Sequence, residues 1–314
     1  MNRETSRGVA SVLLACETFG ISRQAYYAAL RRSGPTEAPD RSQQTGSDEE
    51  SGVSVSVPED VSDAQRPGVW ATTEELRVAI HEVVHEHSAW GVRKVWATLR
   101  RRGLRSGQKR VWAIMKADGL TMEPISVRES PGRYGHVSVP KSNRRWATDL
   151  TTVWTKDDGV VAVVPLIDCG DRVALACDVT KSQESGPVLA PVERALVEQF
   201  DIPDQVPAGL ELRTDHGPQY TGSDCEELCG DWDVEHTFAP VGRPTGNAVA
   251  ERFIQTLKIE LVWTRDWTSL DELQAAINAW LDDYNGIRPH QAMDWMTPNE
   301  KRASNLGLQL EAAA

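Results

Sequence analysis

The chain has 314 residues, 40% hydrophobic and 25% charged, the balance of an ordinary globular protein with room for one large domain and smaller helical pieces. No apolar run approaches the ~20 residues that span a bilayer, and the amino terminus lacks a signal-peptide pattern, which points away from a membrane or secreted protein and predicts a cytoplasmic location. Five cysteines, an odd number without regular spacing, predict free thiols rather than a disulfide scaffold.

The net charge of −12 runs against nucleic-acid binding until its distribution is followed. Residues 1–32 carry five Lys/Arg against two Asp/Glu, and residues 33–69 carry two against eight. Residues 70–145 carry fifteen against seven, and residues 146–314 carry twelve against twenty-nine. A polyanion is attracted to the basic third segment and repelled by much of the acidic last one.

Residues 9–19 read as a helix stopped at Gly20, and Ser22 reads as the N-cap of a second helix reaching Arg32. This pair, 1–32, has the shape of a helix-turn-helix, with Arg23, Gln24, Tyr26 and Tyr27 near the start of the second helix. A helical hairpin without DNA contact fits the same residues. Residues 33–69, rich in Ser, Pro, Gly, Gln and acids, bury too little apolar area to offset their ordering entropy and are predicted to be a disordered acidic linker.

Residues 70–125 form a helical subdomain in this reading, followed by a basic connector at 126–145. Helices are expected over 74–87, 92–102 and 107–118, the last capped by Ser106. Leu76, Ile80, Val83 and Val84 lie at helical spacing in the first, Val95, Trp96 and Leu99 on one side of the second, and Val111, Trp112, Ile114 and Met115 among the cations of the third. Candidate phosphate contacts are Arg93, Lys94, Arg100 and Arg101 on the second helix and Lys109, Arg110 and Lys116 on the third. A small core with a solvated charged face explains the apolar positions equally well. His81, His85 and His87 lie close together, but one helix cannot aim all three at one ion, so no zinc site is expected.

The pattern turns to strands at Trp146, where a domain running to residue 314 begins. Residues 146–155 alternate, Asp157-Asp158-Gly159 is a hairpin-type turn, and residues 160–167 are an apolar run. A third strand spans 172–179, a helix 185–200, a fourth strand 210–214, a helix 223–230 and a fifth strand 234–238. Helices over 247–265 and 269–284 follow. Three antiparallel strands and then strand–helix alternation predict an α/β domain with one mixed sheet. Cys225 and Cys229, four apart on a helix, are expected in the core.

Three acids stand out. Asp149 falls inside a strand of Trp, Thr, Leu and Val, where a carboxylate is costly unless a cation compensates it; an edge strand facing solvent is the other explanation. Asp215 ends a strand before His216-Gly217-Pro218, where α/β proteins place reactive groups and where turns also favour Asp. Glu251 sits in the first turn after Asn247, the expected N-cap, where the helix dipole favours the ionised form. Gln255 and Lys258 share its face, and Lys258 is a candidate phosphate contact or a plain surface lysine. Three hard oxygen donors suit magnesium or manganese, and two such ions ~3.5–4 Å apart activate a nucleophile and stabilise the leaving oxygen of a phosphodiester.

The chain resembles the OrfB-type transposases of insertion-sequence family three, which are DDE transposases with a retroviral-integrase-type core. The matching blocks are Trp146-Ala147-Thr148-Asp149-Leu150-Thr151, Arg213-Thr214-Asp215-His216-Gly217-Pro218-Gln219-Tyr220 and Asn247-Ala248-Val249-Ala250-Glu251-Arg252-Phe253, which continues to Leu257-Lys258-Ile259-Glu260. Thirty-five residues separate Asp215 from Glu251, the spacing that names the class. Residues 284–292, containing Arg288-Pro289-His290, and Thr297-Pro298-Asn299-Glu300 resemble the family's ending; Arg288 joins the candidate DNA contacts. Gly246 replaces an Asp common before the helix.

The resemblance implies an RNase H-like mixed five-stranded sheet flanked by helices, with the first and fourth strands as neighbours bringing Asp149 and Asp215 together. It implies a catalytic and metal-binding triad of Asp149, Asp215 and Glu251, holding two Mg²⁺ or Mn²⁺ ions. The implied reaction is cleavage of DNA at the element ends and strand transfer into target DNA by the exposed 3′-hydroxyls. Implied partners are an OrfA product, as a fusion or separately, and further copies of the chain on DNA at the nucleoid. A plain nuclease of the same fold and a non-catalytic DNA-binding remnant are the competing readings. The Arg288-Pro289-His290 ending disfavours the first, and the intact set of acids disfavours the second.

Overall fold

Thr72 starts the first described helix with a capping box: its hydroxyl accepts from the Glu75 N–H, and the Glu75 carboxylate accepts from the Thr72 N–H. The computed structural model describes residues 70–122, 139–240 and 247–308. The two helices expected within 1–32 with Arg23, the linker at 33–69, most of the connector and Gly246 lie outside the described residues.

Three helices, α1 (Thr73–Glu86), α2 (Val92–Arg101) and α3 (Gln108–Ala117), pack around Leu76, Ile80, Val95, Leu99, Val111 and Met115, all fully buried. The apolar periodicity therefore marks the core face as expected, except at Trp112, which is 48% exposed with Lys116 over its ring. Ser106 does not cap α3. The N-cap is Gly107 without a side-chain bond, and the Ser106 hydroxyl is buried while its carbonyl accepts from the Trp96 indole at 2.9 Å. The histidines diverge: His81 meets Asp118 at 2.9 Å, and His87 stacks on Trp90.

The second unit is built on one mixed sheet. Its strands are β1 (Arg145–Thr148), β2 (Thr151–Thr155), β3 (Gly159–Asp168), β4 (Ala174–Thr180), β5 (Glu211–Thr214) and β6 (Glu235–Phe238). β1 and β2 pair antiparallel with successive halves of β3, whose other edge takes β4; β1 also pairs parallel with β5, and β5 with β6. The continuous strand predicted over 146–155 is two strands, β1 and β2, broken at Asp149 and Leu150, so the sheet has six strands where five were expected. Gly159 supplies the positive φ of 70° that the β2–β3 turn needs.

Helices cover both faces. α4 (Ser185–Phe200) packs Val188, Leu189, Val192 and Leu196 on the face that includes Trp146, Val164, Leu166 and Leu212, joined by the short α5 (Pro218–Thr221) and α6 (Ser223–Asp231). α7 (Ala248–Glu260) and α8 (Leu270–Gly286) pack Phe253, Leu257, Leu273 and Ile277 on the opposite face against Val153, Val161, Val163 and Ile167. β3 is buried on both sides, which is why its sequence is a continuous apolar run rather than an alternating one. Cys225 and Cys229 are buried in the first layer. A last helix, α9 (Pro298–Leu306), starts with a Thr297–Glu300 capping box, and its Arg302 reaches the buried Asp168 and Asp171 at the β3–β4 turn.

The helical subdomain is fastened to this core through Glu260, whose side chain is 7% exposed. Glu260 accepts from Lys94 of α2 at 2.6 Å and from both Nε and Nη2 of Arg288 at 2.9–3.1 Å. Burial alone would raise its pKa, but Arg288 and Lys94 hold it below the ordinary value. Arg101 adds a two-pronged pair with Glu300, and Trp96 packs edge-on against Trp295 at 5.9 Å. Neutralising Glu260 leaves two buried cations without a counter-charge. Glu260→Gln is expected to cost roughly 3–5 kcal/mol in urea unfolding, and adding Lys94→Met to recover part of it; an unchanged midpoint for the single variant would refute this anchoring role.

Candidate active site

Register brings the first two acids together. Ala147 of β1 faces Arg213 of β5 in the parallel ladder, so two residues on, at the ends of both strands, Asp149 and Asp215 emerge side by side. Strand alternation puts Arg145, Ala147 and Asp149 on the α7 face with Glu211, Arg213 and Asp215, while Trp146, Thr148, Leu212 and Thr214 turn to the opposite side. Both acids use one oxygen locally: Asp149 accepts from the Leu150 N–H at 2.8 Å, and Asp215 from the Gly217 N–H at 2.9 Å. These bonds orient each carboxylate and leave the other oxygen free to act.

The third acid arrives on α7. Asn247, read from sequence as a helix cap, makes no side-chain cap bond. Its amide instead donates to the Thr148 carbonyl at 2.9 Å, one residue before Asp149. Behind it, Ala250 packs on Ala147 with both side chains buried, so two small residues let α7 approach β1 closely. Glu251 follows on the exposed face of the helix, with Phe253, Ile254 and Leu257 buried below.

The charges register one another. Burial first, then the carboxylates of Asp215 and Glu251, raise the Asp149 pKa to about 6, against the opposing pull of the Leu150 N–H bond and the Lys258 charge. Partial desolvation raises Glu251 as well. Tyr220, fully buried and bonded to Thr148 at 3.3 Å, senses both Asp149 and Asp215. Lys258 thus stands on the same side as the three acids. The Asn247 Oδ1 is buried with no hydrogen-bond partner among the described residues.

Whether such a site suits a divalent cation is answered by its donors. Three carboxylates, with a surplus of negative charge and an orphaned amide oxygen beside them, match a hard cation that takes oxygen ligands. They do not form a closed cage: among the described residues no three acidic, imidazole or thiol groups converge as a finished metal cluster. The site is an open acidic face.

The other residues singled out from sequence divide into two groups. Lys94 and Arg288 are partnered by Glu260, Arg101 by Glu300, and Arg110 donates to the Ala71 carbonyl and Thr73. Arg100 and Lys116 lie over the rings of Trp96 and Trp112. Among the described residues Arg93 meets only the neutral Gln291, and Lys109 is exposed. Sequence reasoning missed Asn247, Tyr220 and Glu260 as parts of the site and its support. Asn247 was hidden by its resemblance to an ordinary cap, and Glu260 by lying on a helix whose other charges are solvated.

Residues 139–244 and 232–298 match two integrase core domain families, and residues 72–123 match an HTH-like domain. The transposase InsD of insertion element IS2A/D/F/H/I/K from Escherichia coli is 31% identical over 250 residues, covering 74% of this chain and 80% of that protein. Similar solved structures include a simian T-cell lymphotropic virus intasome bound to a PP2A regulatory subunit, at 16% identity and a TM-score of 0.46 over 76% of this chain and 78% of that one. The catalytic core of BIV integrase is another, at 20% identity and a TM-score of 0.41 over 52% and 97%. The sheet and the integrase core matches define an RNase H-like polynucleotidyl transferase preceded by HTH-like helices. The chain belongs to the OrfB-type transposases of insertion-sequence family three, enzymes of DNA transposition and integration. No helix among the described residues is long and apolar enough to cross a membrane.

The raised Asp149 pKa has a sign that can be measured. In the metal-free protein the protonated form is favoured by folding, so its stabilising contribution is complete below pH ~4 and lost as pH rises through about 6. Asp149→Asn, which cannot ionise, is expected to melt at a higher temperature than the parent at pH 7 without divalent ions. That difference should shrink toward pH 4. A variant less stable than the parent at pH 7 contradicts the mutual repulsion described here.

Proposed function

We propose that Asp149, Asp215 and Glu251 are the catalytic, metal-binding triad of a transposase that cuts DNA at its element's ends and joins the exposed 3′-hydroxyls to target DNA. The observation that carries this reading is the β1–β5 register that sets Asp149 beside Asp215, with α7 bringing Glu251 near enough for its charge to raise the Asp149 pKa. Two divalent ions, Mg²⁺ or Mn²⁺, when bound, supply activation of the attacking oxygen and stabilisation of the leaving one.

The chain's own residues do the positioning. Asp149 and Asp215, each tethered through one oxygen, present the other toward the scissile phosphate. Glu251 closes the site from α7, and Asn247 keeps that helix against β1. Lys258, on the acid side of α7, holds a phosphate oxygen of the bound strand. Little covalent work is asked of the protein, so geometry contributes most of the rate. Element ends are brought by an OrfA product or an OrfAB fusion, with several copies of the chain assembled on DNA at the nucleoid.

Incubation with pre-cut and uncut end-containing DNA and Mg²⁺ tests the reading. Asp149→Asn, Asp215→Asn and Glu251→Gln should each lower cleavage and strand transfer by about 10²–10³-fold or more while DNA binding persists. Full activity in any of the three removes that residue from the triad. Tight, specific binding of terminal repeats by this chain alone would count against dependence on an OrfA product.

A further inference from the structure

Between the helical subdomain and the core lies an open cleft of about 1870 Å³. In a chain of net charge −12, every charged residue among its described lining is Lys or Arg. α2 and α3 contribute Arg93, Lys94 and Lys109 from one wall. The floor is the α7 side of the sheet, where Arg145 and Arg213 stand in the rows just below Asp149 and Asp215. Arg252, next to Glu251, Arg172 and Arg288 complete the other wall.

Half of these cations are internally balanced. Arg145 and Arg213 share Glu211, and Lys94 and Arg288 share Glu260. Four are not: Arg93 and Arg252 meet only the amides of Gln291 and Gln255, and Lys109 and Arg172 form no ion pair among the described residues. Arg172 is held in the left-handed region, φ 65°, an unfavourable backbone for a non-glycine residue. Its charge reaches Cys169, Tyr284 and His290, all on the cleft wall. His290 is correspondingly kept neutral, pushed down to about 2 by burial and then by Arg288, Lys94 and Arg172.

From the position of these cations we infer that the cleft is a sequence-independent track for the phosphodiester backbone of the DNA strand entering the carboxylate site, gripped by Arg93, Lys109, Arg172 and Arg252. This inference rests on the triad reading for the direction of the strand, but not for the binding itself. Unpaired cations on facing walls are the chemistry that recognises a polyphosphate, and phosphate contacts carry no base information. The track also resolves the paradox of an acidic DNA enzyme: the acidic surface lies elsewhere, and the repulsion from the three carboxylates is confronted by a positive approach.

The test is DNA binding by the full chain without divalent ions, as a function of salt, using an element-end duplex and a duplex of unrelated sequence. The triple variant Lys109→Gln/Arg172→Gln/Arg252→Gln should bind both duplexes about tenfold more weakly or worse at 0.1 M salt, with the log–log salt slope shallower by roughly two to three. A control triple of equal charge, Lys156→Gln/Lys181→Gln/Arg265→Gln, removes cations that do not line the cleft and should leave the slope unchanged. The single reversal Lys109→Glu, at an exposed site, guards against misfolding of the triple and should weaken both duplexes in the same sense. Equal effects of cleft and control triples, or a defect confined to one duplex, overturn the inference. Asp149→Asn in parallel keeps the two proposals apart: the triad reading fails if that variant still cleaves, whereas the track fails if the cleft triple binds both duplexes as the parent does, loses no more than the control triple, or loses affinity for one duplex alone.

Discussion

Three carboxylates that repel one another have to be held together, and the rest of the core is arranged to do that. The parallel β1–β5 ladder sets two of them side by side, and a single amide bond from Asn247 to the Thr148 carbonyl brings in the helix that carries the third. The Ala147–Ala250 contact lets that helix lie close. None of these supports is itself acidic. The repulsion is therefore stored in a scaffold whose apolar layers, around Leu196 on one face and Leu257 on the other, are indifferent to it. A strained electrostatic arrangement of this kind is what a cation-dependent site requires, because the ion then gains what the metal-free protein loses.

The same separation of charge and scaffold explains the Arg288-Pro289-His290 ending. Arg288 is buried on Glu260 together with Lys94, so one carboxylate at the end of α7 fixes both the tail and the helical subdomain. Glu251 and Glu260 ride one helix: the first lies with the other two acids and the second sets where the three-helix subdomain stands. Position of the subdomain and geometry of the site are in this way linked through a rigid element of thirteen residues.

Much was legible beforehand, for identifiable reasons. Long periodic segments such as residues 185–200 and the stripe of Phe253, Ile254 and Leu257 declare themselves because burial selects their spacing. The break at Asp149 was not legible, since Trp146 to Thr155 alternates as if continuous; the interruption arises where β1 leaves its ladder with β5 and the carboxylate turns to the Leu150 N–H. Ser106 looked like a cap by local rule and is buried one residue before the true N-cap, whereas Asn247 holds the N-cap position as expected but its side chain is claimed by a strand carbonyl.

The order of the motifs, the spacing of Asp215 and Glu251 and the alternation of polar and apolar residues determined the family and the mixed sheet and singled out the three acids. These follow from covalent sequence and short-range periodicity, which need no knowledge of distant neighbours. Which cations are spent and which are available was decided only by the fold. Lys94 and Lys109 look alike along the chain, yet one is neutralised by a glutamate 166 residues away and the other opens onto a cleft. Pairing at such separations depends on how two units dock, and that is a property of packed surfaces rather than of local sequence.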